Sequence, residues 1–463
     1  MPRTVRSVAV TATVVFAGCT GGSSDPSDTQ DVTDSSGPTT TRSPRPELRW
    51  SAELVGPSQE DEVDGIAAAA DGSVWITGKF ERTVSLAGVE LTSVGRADIP
   101  LARLSKDGEA VWVTRFGGTG EDNFFDIAAG PGGAVATGWF EGEIELDDVV
   151  LRSAGETDCV VASFADDGSV RWARSFGGPG PDGCNEVVVT GDGTTITSMD
   201  TVGSGEAAPA SPDVGPSRDT VLMSLDRDGN RMWSRAVGGP GGQRGKAIAV
   251  GSDGTVAFGG DTSGPLVVDG VTTDVPGRRA DAFVSLWDAD GALRWVRTWG
   301  GPGADLVKGV AVVDDGVIAV GPISGTVDIG GHSIDAGAEA DLVVAHLSAQ
   351  GDVDWLGSVR ADGPLTGAEI TTGTNGGILF GIRPVAGLEL VGADGAVVGA
   401  SDAAQLVQWN ADGSVDWTWP VPGPPGSLDE IDRSGTRVYV DRVVRNPGSG
   451  KDGLVIAIDL PGD

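Results

Sequence analysis

The chain has 463 residues, long enough for two or three ordinary domains, and a formal charge of −35 from 67 Asp and Glu against 32 Lys and Arg. A surface of that sign repels nucleic acid and anionic lipid headgroups, so a nucleic-acid partner is excluded; the acidity instead keeps a secreted protein in solution. Glycine accounts for 74 residues, and the apolar segments are short, β-branched and separated by Gly, Pro and Asp, which predicts many short strands on tight turns and no long amphipathic helix.

At the N-terminus Arg3 and Arg6 precede the apolar run Val8 to Phe16, which is too short to span a bilayer and reads as the centre of a signal peptide. The run ends in Phe16-Ala17-Gly18-Cys19. This ending resembles the bacterial lipoprotein lipobox, with Phe16 where Leu is usual. The resemblance implies that residues 1–19 are removed or modified as a lipoprotein signal and that Cys19 carries the lipid. It also implies that the protein is held in the cell envelope outside the cytoplasm, at the outer membrane, the cell surface or in the periplasm. Thr20, where Asp would stand in the inner-membrane retention pattern, does not favour retention there. Residues 20–46 are Ser, Thr, Asp, Gly and Pro with almost no apolar side chains, too little to offset the entropy of ordering. They form a tether, with an average reach of roughly 25–30 Å.

From 47 to 463 one motif recurs. Trp50, Trp112, Trp172, Trp233, Trp295, Trp355 and Trp417 mark its register, at spacings of 62, 60, 61, 62, 60 and 62 residues. After each Trp comes a Gly-rich crossover, clearest in Gly117-Gly118-Thr119-Gly120 and Gly300-Gly301-Pro302-Gly303. A first strand follows, then an Asp71-Gly72 or Asp253-Gly254 type of turn, and a second strand such as Ser73 to Gly78. The third strand opens on Asp98, Asp158, Asp219, Asp281, Asp341, Asp402 or Asp452, and a further hairpin turn such as Asp290-Gly291 leads into the next Trp strand.

Four short antiparallel strands per unit, repeated seven times, predict an all-β fold, a seven-bladed β-propeller of four-stranded antiparallel blades. The ends are complementary: the seventh unit stops after its third strand, Leu454 to Leu460, while the body starts with an orphan fourth strand, Leu48 to Glu53. Pairing the two within one blade closes the last blade and removes two exposed edges. The crossover, the Asp-Gly turn, the second strand ending in Thr-Gly and the Asp-Ala-Phe-Val type of third strand resemble the bacterial SBBP β-propeller repeat family over nearly the whole body. The PQQ-type propeller repeat, which also ends in Asp-x-x-Gly-x-x-x-Trp, is the alternative. The SBBP resemblance implies the fold and an extracellular setting, and carries no catalytic residue with it.

Most conspicuous residues recur in every unit, so they read as structural. The repeated aspartates are expected to accept backbone N–H bonds from a neighbouring crossover, in preference to a metal-binding ring. The tryptophans are expected to pack between blades, in preference to stacking on sugars. Asp226-Arg227-Asp228-Gly229 resembles the start of a calcium loop without its closing glutamate and reads as a hairpin turn. Cys159 and Cys184 fall on one face of adjacent blades; a disulfide and two separate buried thiols are the alternatives. With two histidines, His332 and His346, and no Cys-x-x-Cys, His-Glu-x-x-His or Gly-x-Ser-x-Gly, neither zinc hydrolysis nor a serine triad is expected, and no cofactor.

Arg218, Arg244, Lys246, Arg278 and Arg279 form the one basic grouping in irregular loops. They are a candidate ligand site for an anionic glycan, peptide or phosphate, or they pair with nearby carboxylates. The expectation is a monomeric, non-enzymatic envelope lipoprotein that presents its propeller to a protein or polysaccharide. The alternatives are a carboxylate-based polysaccharide lyase or hydrolase, which needs unlike acidic side chains from several blades to converge at the funnel mouth, and a structural or adhesive spacer.

Overall fold

The computed structural model describes residues 46–58, 61–202, 217–275, 279–336, 340–365, 369–373, 376–424, 426–446 and 450–460. Residues 1–45, read as signal and tether and including Cys19, lie outside them, as do Arg278 and residues 203–216. The body is all-β and of β-propeller type, and no α-helix occurs among the described residues.

Each of the first six sequence repeats folds into four antiparallel strands in chain order. In repeat four these are Gln243–Val250, Val256–Thr262, Asp281–Trp287 and Leu293–Trp299. Its Asp-Gly turns close because Gly254 and Gly291 take φ of 84° and 78°, values a side chain disfavours. Asp253 fixes the first turn by accepting from the N–H and Oγ1–H of Thr255. In repeat seven the strands Ile431–Ser434, Arg437–Asn446 and Gly450–Asp459 are followed by Glu47–Val55 from the start of the body, which pairs antiparallel with Gly450–Asp459.

The sheets stack face to face. Every residue of Asp281–Trp287 is buried, as expected for a strand covered on both sides. Each apolar cluster is shared by consecutive repeats. Trp295 and Trp299 of repeat four pack with Val307, Val317 and Val343 of repeat five. Leu54 and Tyr439 of repeat seven pack with Ile66 and Ile76 of repeat one. The first strands lie side by side in sequence order, and Ile431–Ser434 also lies against Glu62–Ala68 of repeat one.

The register tryptophans do pack between repeats. Trp112, Trp172, Trp233, Trp295 and Trp355 each donate their indole N–H to a carbonyl in the third-to-fourth-strand turn of the next repeat, as Trp295 does to Ala349 at 3.0 Å. Trp50 does the same to Lys106 of repeat one. The turn glycine lies flat on the ring, so that a Cβ on Gly351 would sit 2.8 Å from Trp295.

The aspartates require correction. Asp98 accepts from the N–H groups of Val94 and Gly95, in the connection before its own strand, and Asp158 from that of Ala154, earlier in the strand Val149–Ala165, rather than from a crossover. The crossover N–H groups go instead to the acid at its far end: Gly118 to Asp122, Gly178 to Asp182 and Gly301 to Asp305. In repeat six Asp402 is exposed outside the strand Gln405–Trp409, and Gln405 takes over the role by donating to Ser401 and Ala403. The side chain of Asp452 lies outside the described residues.

The second-to-third-strand connections, read as loops, hold hairpins of their own. Thr83–Leu86 with Val89–Thr92, Leu266–Val268 with Val271–Thr273, and Glu389–Val391 with Val397–Gly399 each add to the outer strand of the preceding repeat. They cover edges that would otherwise invite aggregation.

Cys159 and Cys184 form a disulfide, with Cα atoms 4.9 Å apart and both side chains fully buried, joining the third strand of repeat two to the first strand of repeat three. Replacing both with Ala is expected to cost about 3 kcal/mol, since the bond closes a loop of 25 residues. Denaturant unfolding of the oxidised protein against the Ala/Ala variant measures this, and equal midpoints refute it.

Candidate functional site

The first strands carry the site, and those of repeats one to four each bend at one place. Their pairing with the second strands slips by a residue between Val63 and Gly65, between Phe124 and Asp126, between Cys184 and Val187, and between Gly245 and Ala247. A bulge re-aims the extra side chain. The bulged residues Asp64, Phe125, Asn185 with Glu186, and Lys246 all line one cavity of about 770 Å³, with Lys308, Glu369 and Glu430 from the first-strand regions of repeats five, six and seven. It is a funnel at one end of these strands. Their other ends, at Ala68 to Asp71, Ala129 to Gly133 and Val189 to Gly191, line a second cavity of about 700 Å³ that is mostly backbone and small side chains.

Unlike the tryptophans, the side chains at these equivalent positions differ from repeat to repeat. Seven carboxyls line the funnel, those of Glu62, Asp64, Glu186, Glu369, Asp429, Glu430 and Asp441, against three cations, Lys246, Lys308 and Arg383. Lys308 Nζ lies 3.2 Å from Glu369, and Arg383 donates to the carbonyl of Pro364. Asp64 accepts from Asn123 Nδ2 at 3.0 Å. Beside them, Asp126 accepts the N–H of Val187 at 2.7 Å and Asp432 that of Ala68 at 2.8 Å, so each ties one repeat to the next.

The funnel walls hold these groups away from bulk water, and the carboxyls are close enough to repel one another. Burial and the charge of Glu62 push Asp64 up to about 7, and burial and Glu369 push Asp126 up to about 7. Burial, then Glu369 and Asp126, raises Glu186 well above the carboxylate range, and the same neighbours act on Glu430. Asp441 is raised by burial and by Asp429. Burial pulls the Lys308 ammonium down, but Glu369, Glu186 and Glu430 outweigh it and hold it firmly charged. Among the described residues no three acidic, His or Cys side chains stand close enough to hold a metal ion.

The basic grouping dissolves in the structure. Arg218 lies 3.8 Å from Asp200, and Arg244 clamps Asp261 through Nε at 3.1 Å and Nη2 at 3.0 Å. Arg279 is exposed, and among the described members of the group Lys246 alone enters the funnel. The sequence reading missed Asp64, Phe125, Glu186, Lys308, Glu369 and Glu430. Their signal is the register, a few residues beyond the crossover, at which otherwise regular repeats stop agreeing.

Fold and funnel place the chain among propeller-type all-β proteins, and no family model matches it. It is 28% identical over 338 residues to the regulatory protein FlaEY of Caulobacter vibrioides, a stretch covering 67% of this chain and 35% of FlaEY; the chain thus spans about a third of that protein's length. Among solved structures it is similar to the polysaccharide lyase Uly1, with a TM-score of 0.48 and 12% identity over 88% of this chain and 91% of that one. It is also similar to the WD40 β-propeller domain of Doa1, with a TM-score of 0.44 and 13% identity over 89% and 96% of the two chains.

Proposed function

We propose that this protein is a non-enzymatic, monomeric lipoprotein of the cell envelope, anchored through Cys19, whose seven SBBP-like repeats close into a seven-bladed propeller with its ligand in the axial funnel. The pairing of Glu47–Val55 with Gly450–Asp459 and the packing of repeat seven on repeat one support closure. The observation that carries the binding reading is the set of unlike side chains at one register, Asp64, Phe125, Lys246 and Lys308. A purely structural ring has no reason to vary there, nor to gather carboxyls whose mutual repulsion lowers stability.

Full-length protein in detergent, immobilised and exposed to envelope protein and glycan fractions, tests this. The Glu186→Gln/Glu430→Gln variant is expected to lose the captured ligand, while Arg244→Glu/Arg279→Glu retains it. The reverse pattern would move the site to the arginines.

The carboxylate-based lyase or hydrolase remains the second reading, because acids from several repeats meet in one cavity and some hold a proton near neutral pH, as a general acid must. Release of reducing or unsaturated ends from envelope polysaccharide, abolished in Glu430→Gln, would replace the binding reading with this one.

A further inference from the structure

We propose that the funnel recognises its ligand by an ammonium group, the polar end of an amine-bearing molecule seated among the carboxyls that line it. This rests on the funnel being the ligand site, and it follows from charge and spacing there. Seven carboxyls face three cations in a cavity large enough for a ligand of a few sugar or amino-acid units. Two of the three cations are already engaged, Lys308 by Glu369 and Arg383 by the Pro364 carbonyl. Carboxyls line the funnel from different sides: Asp64 from repeat one, Glu186 from repeat three, and Asp429, Glu430 and Asp441 from repeat seven.

Because no three of the described acids converge tightly enough for a metal ion, the fitting cation is larger and donates several hydrogen bonds in different directions. An alkylammonium, with three donors on a slender stem, meets that requirement. Phe125 on the wall adds an aromatic ring, the usual neighbour of an organic cation. An anionic group would instead meet Lys246 and Arg383, the two cations outside the Lys308–Glu369 pair, among seven carboxyls.

The groups around the seated ammonium determine what its arrival does to protons. From repeat one it faces Glu62 and Asp64, with Lys79 acting on Asp64, and from repeat three Glu186, on which Asp126 of repeat two acts from behind the lining. From repeats four and five it faces Lys246 and Lys308, from repeat six Glu369 and Arg383, and from repeat seven Asp429, Glu430 and Asp441. Several of these carboxyls keep a proton at neutral pH only because they are buried together. A cation placed among them reverses the balance and expels protons, so affinity rises with pH between about 6 and 8.

Isothermal titration of the full-length protein in detergent, near pH 7 and in two buffers of different ionisation enthalpy, tests this with a matched pair. One probe is the glucosamine trisaccharide and the other its fully N-acetylated counterpart; spermidine serves as an amine without sugar. The amine probe is expected to bind at least about tenfold more tightly than the acetylated one, with a heat that depends on buffer because protons leave. Equal binding of spermidine assigns recognition to the ammonium alone, and preference for the trisaccharide assigns an amino sugar.

Glu186→Gln/Glu430→Gln is expected to weaken amine binding at least about tenfold, and Lys246→Met to strengthen it several-fold. The opposite signs keep the test readable if one variant folds poorly. Equal affinity for amine and acetylated probes, or a buffer-independent heat, overturns the ammonium proposal while leaving the funnel as the site. Amine binding unaffected by either variant overturns the funnel reading itself, since a chain of net charge −35 attracts polyamines elsewhere on its surface.

Discussion

Thermal unfolding of the protein is expected to occur at a higher temperature at pH 5.5 than at pH 8, by about 5 °C or more. Asp64 and Asp126 titrate at about 7 in the folded protein, and Glu186, Glu430 and Asp441 are raised as well, all for want of water and through mutual repulsion. In the unfolded chain each returns to about 4. Between these values the folded state binds more protons, so stability falls as the pH rises from about 4 through 7. Exposed turn carboxylates such as Asp167, Asp226 and Asp412 are lowered by hydrogen bonds from neighbouring residues and act in the opposite sense, below pH 4. The optimum therefore lies between the two ranges.

After discounting for water in the funnel, each raised carboxyl contributes on the order of 1–2 kcal/mol of lost stability at pH 8. Glu430→Gln is therefore expected to raise the unfolding temperature at pH 8, and to raise it less at pH 5.5. Calorimetric scans of both proteins across this range decide the matter. A wild type most stable at pH 8, or a Gln variant less stable there, would show that the funnel carboxyls are satisfied and not strained.

Truncation of one register tryptophan is expected to have the largest effect of any single substitution. Trp295 is 6% exposed, lies over Gly351 and donates to Ala349 of the next repeat. Arg297, stacked 5.8 Å from its ring centroid, donates to the carbonyls of Gly351 and Gln350 in the same turn. Trp295→Ala removes the ring that both groups rest on, at about 3–5 kcal/mol. Trp295→Phe keeps the ring and loses one hydrogen bond, at about 1 kcal/mol beyond the packing lost. Denaturant midpoints of the two variants should differ clearly, and an Ala variant within 1 kcal/mol of wild type would mean that the repeats hold together without this contact.

What the sequence determined by itself is what recurs. A tryptophan every sixty or so residues, Asp-Gly turns and alternating short strands are local chemistry repeated, and local chemistry is readable along a chain because turn geometry and strand period need only near neighbours. Even there the reading slipped where partners were close but ambiguous: Asp98 bonds its own loop and Asp122 the crossover, and Gln405 replaces Asp402. The added hairpins were hidden because their strands are three or four residues long and gain stability only by pairing with the preceding repeat.

The funnel belongs to the tertiary structure alone. Asp64, Glu186, Lys308 and Glu430 stand far apart in sequence, and in a chain with 67 acidic residues only the register at which the repeats stop agreeing marks them. One-residue bulges turn several such side chains toward the axis, and the packing of first strands brings carboxyls together from repeats as distant as one and seven. Their charge interactions scale with separation in space and with the loss of surrounding water, and both are set only when the sheets have assembled.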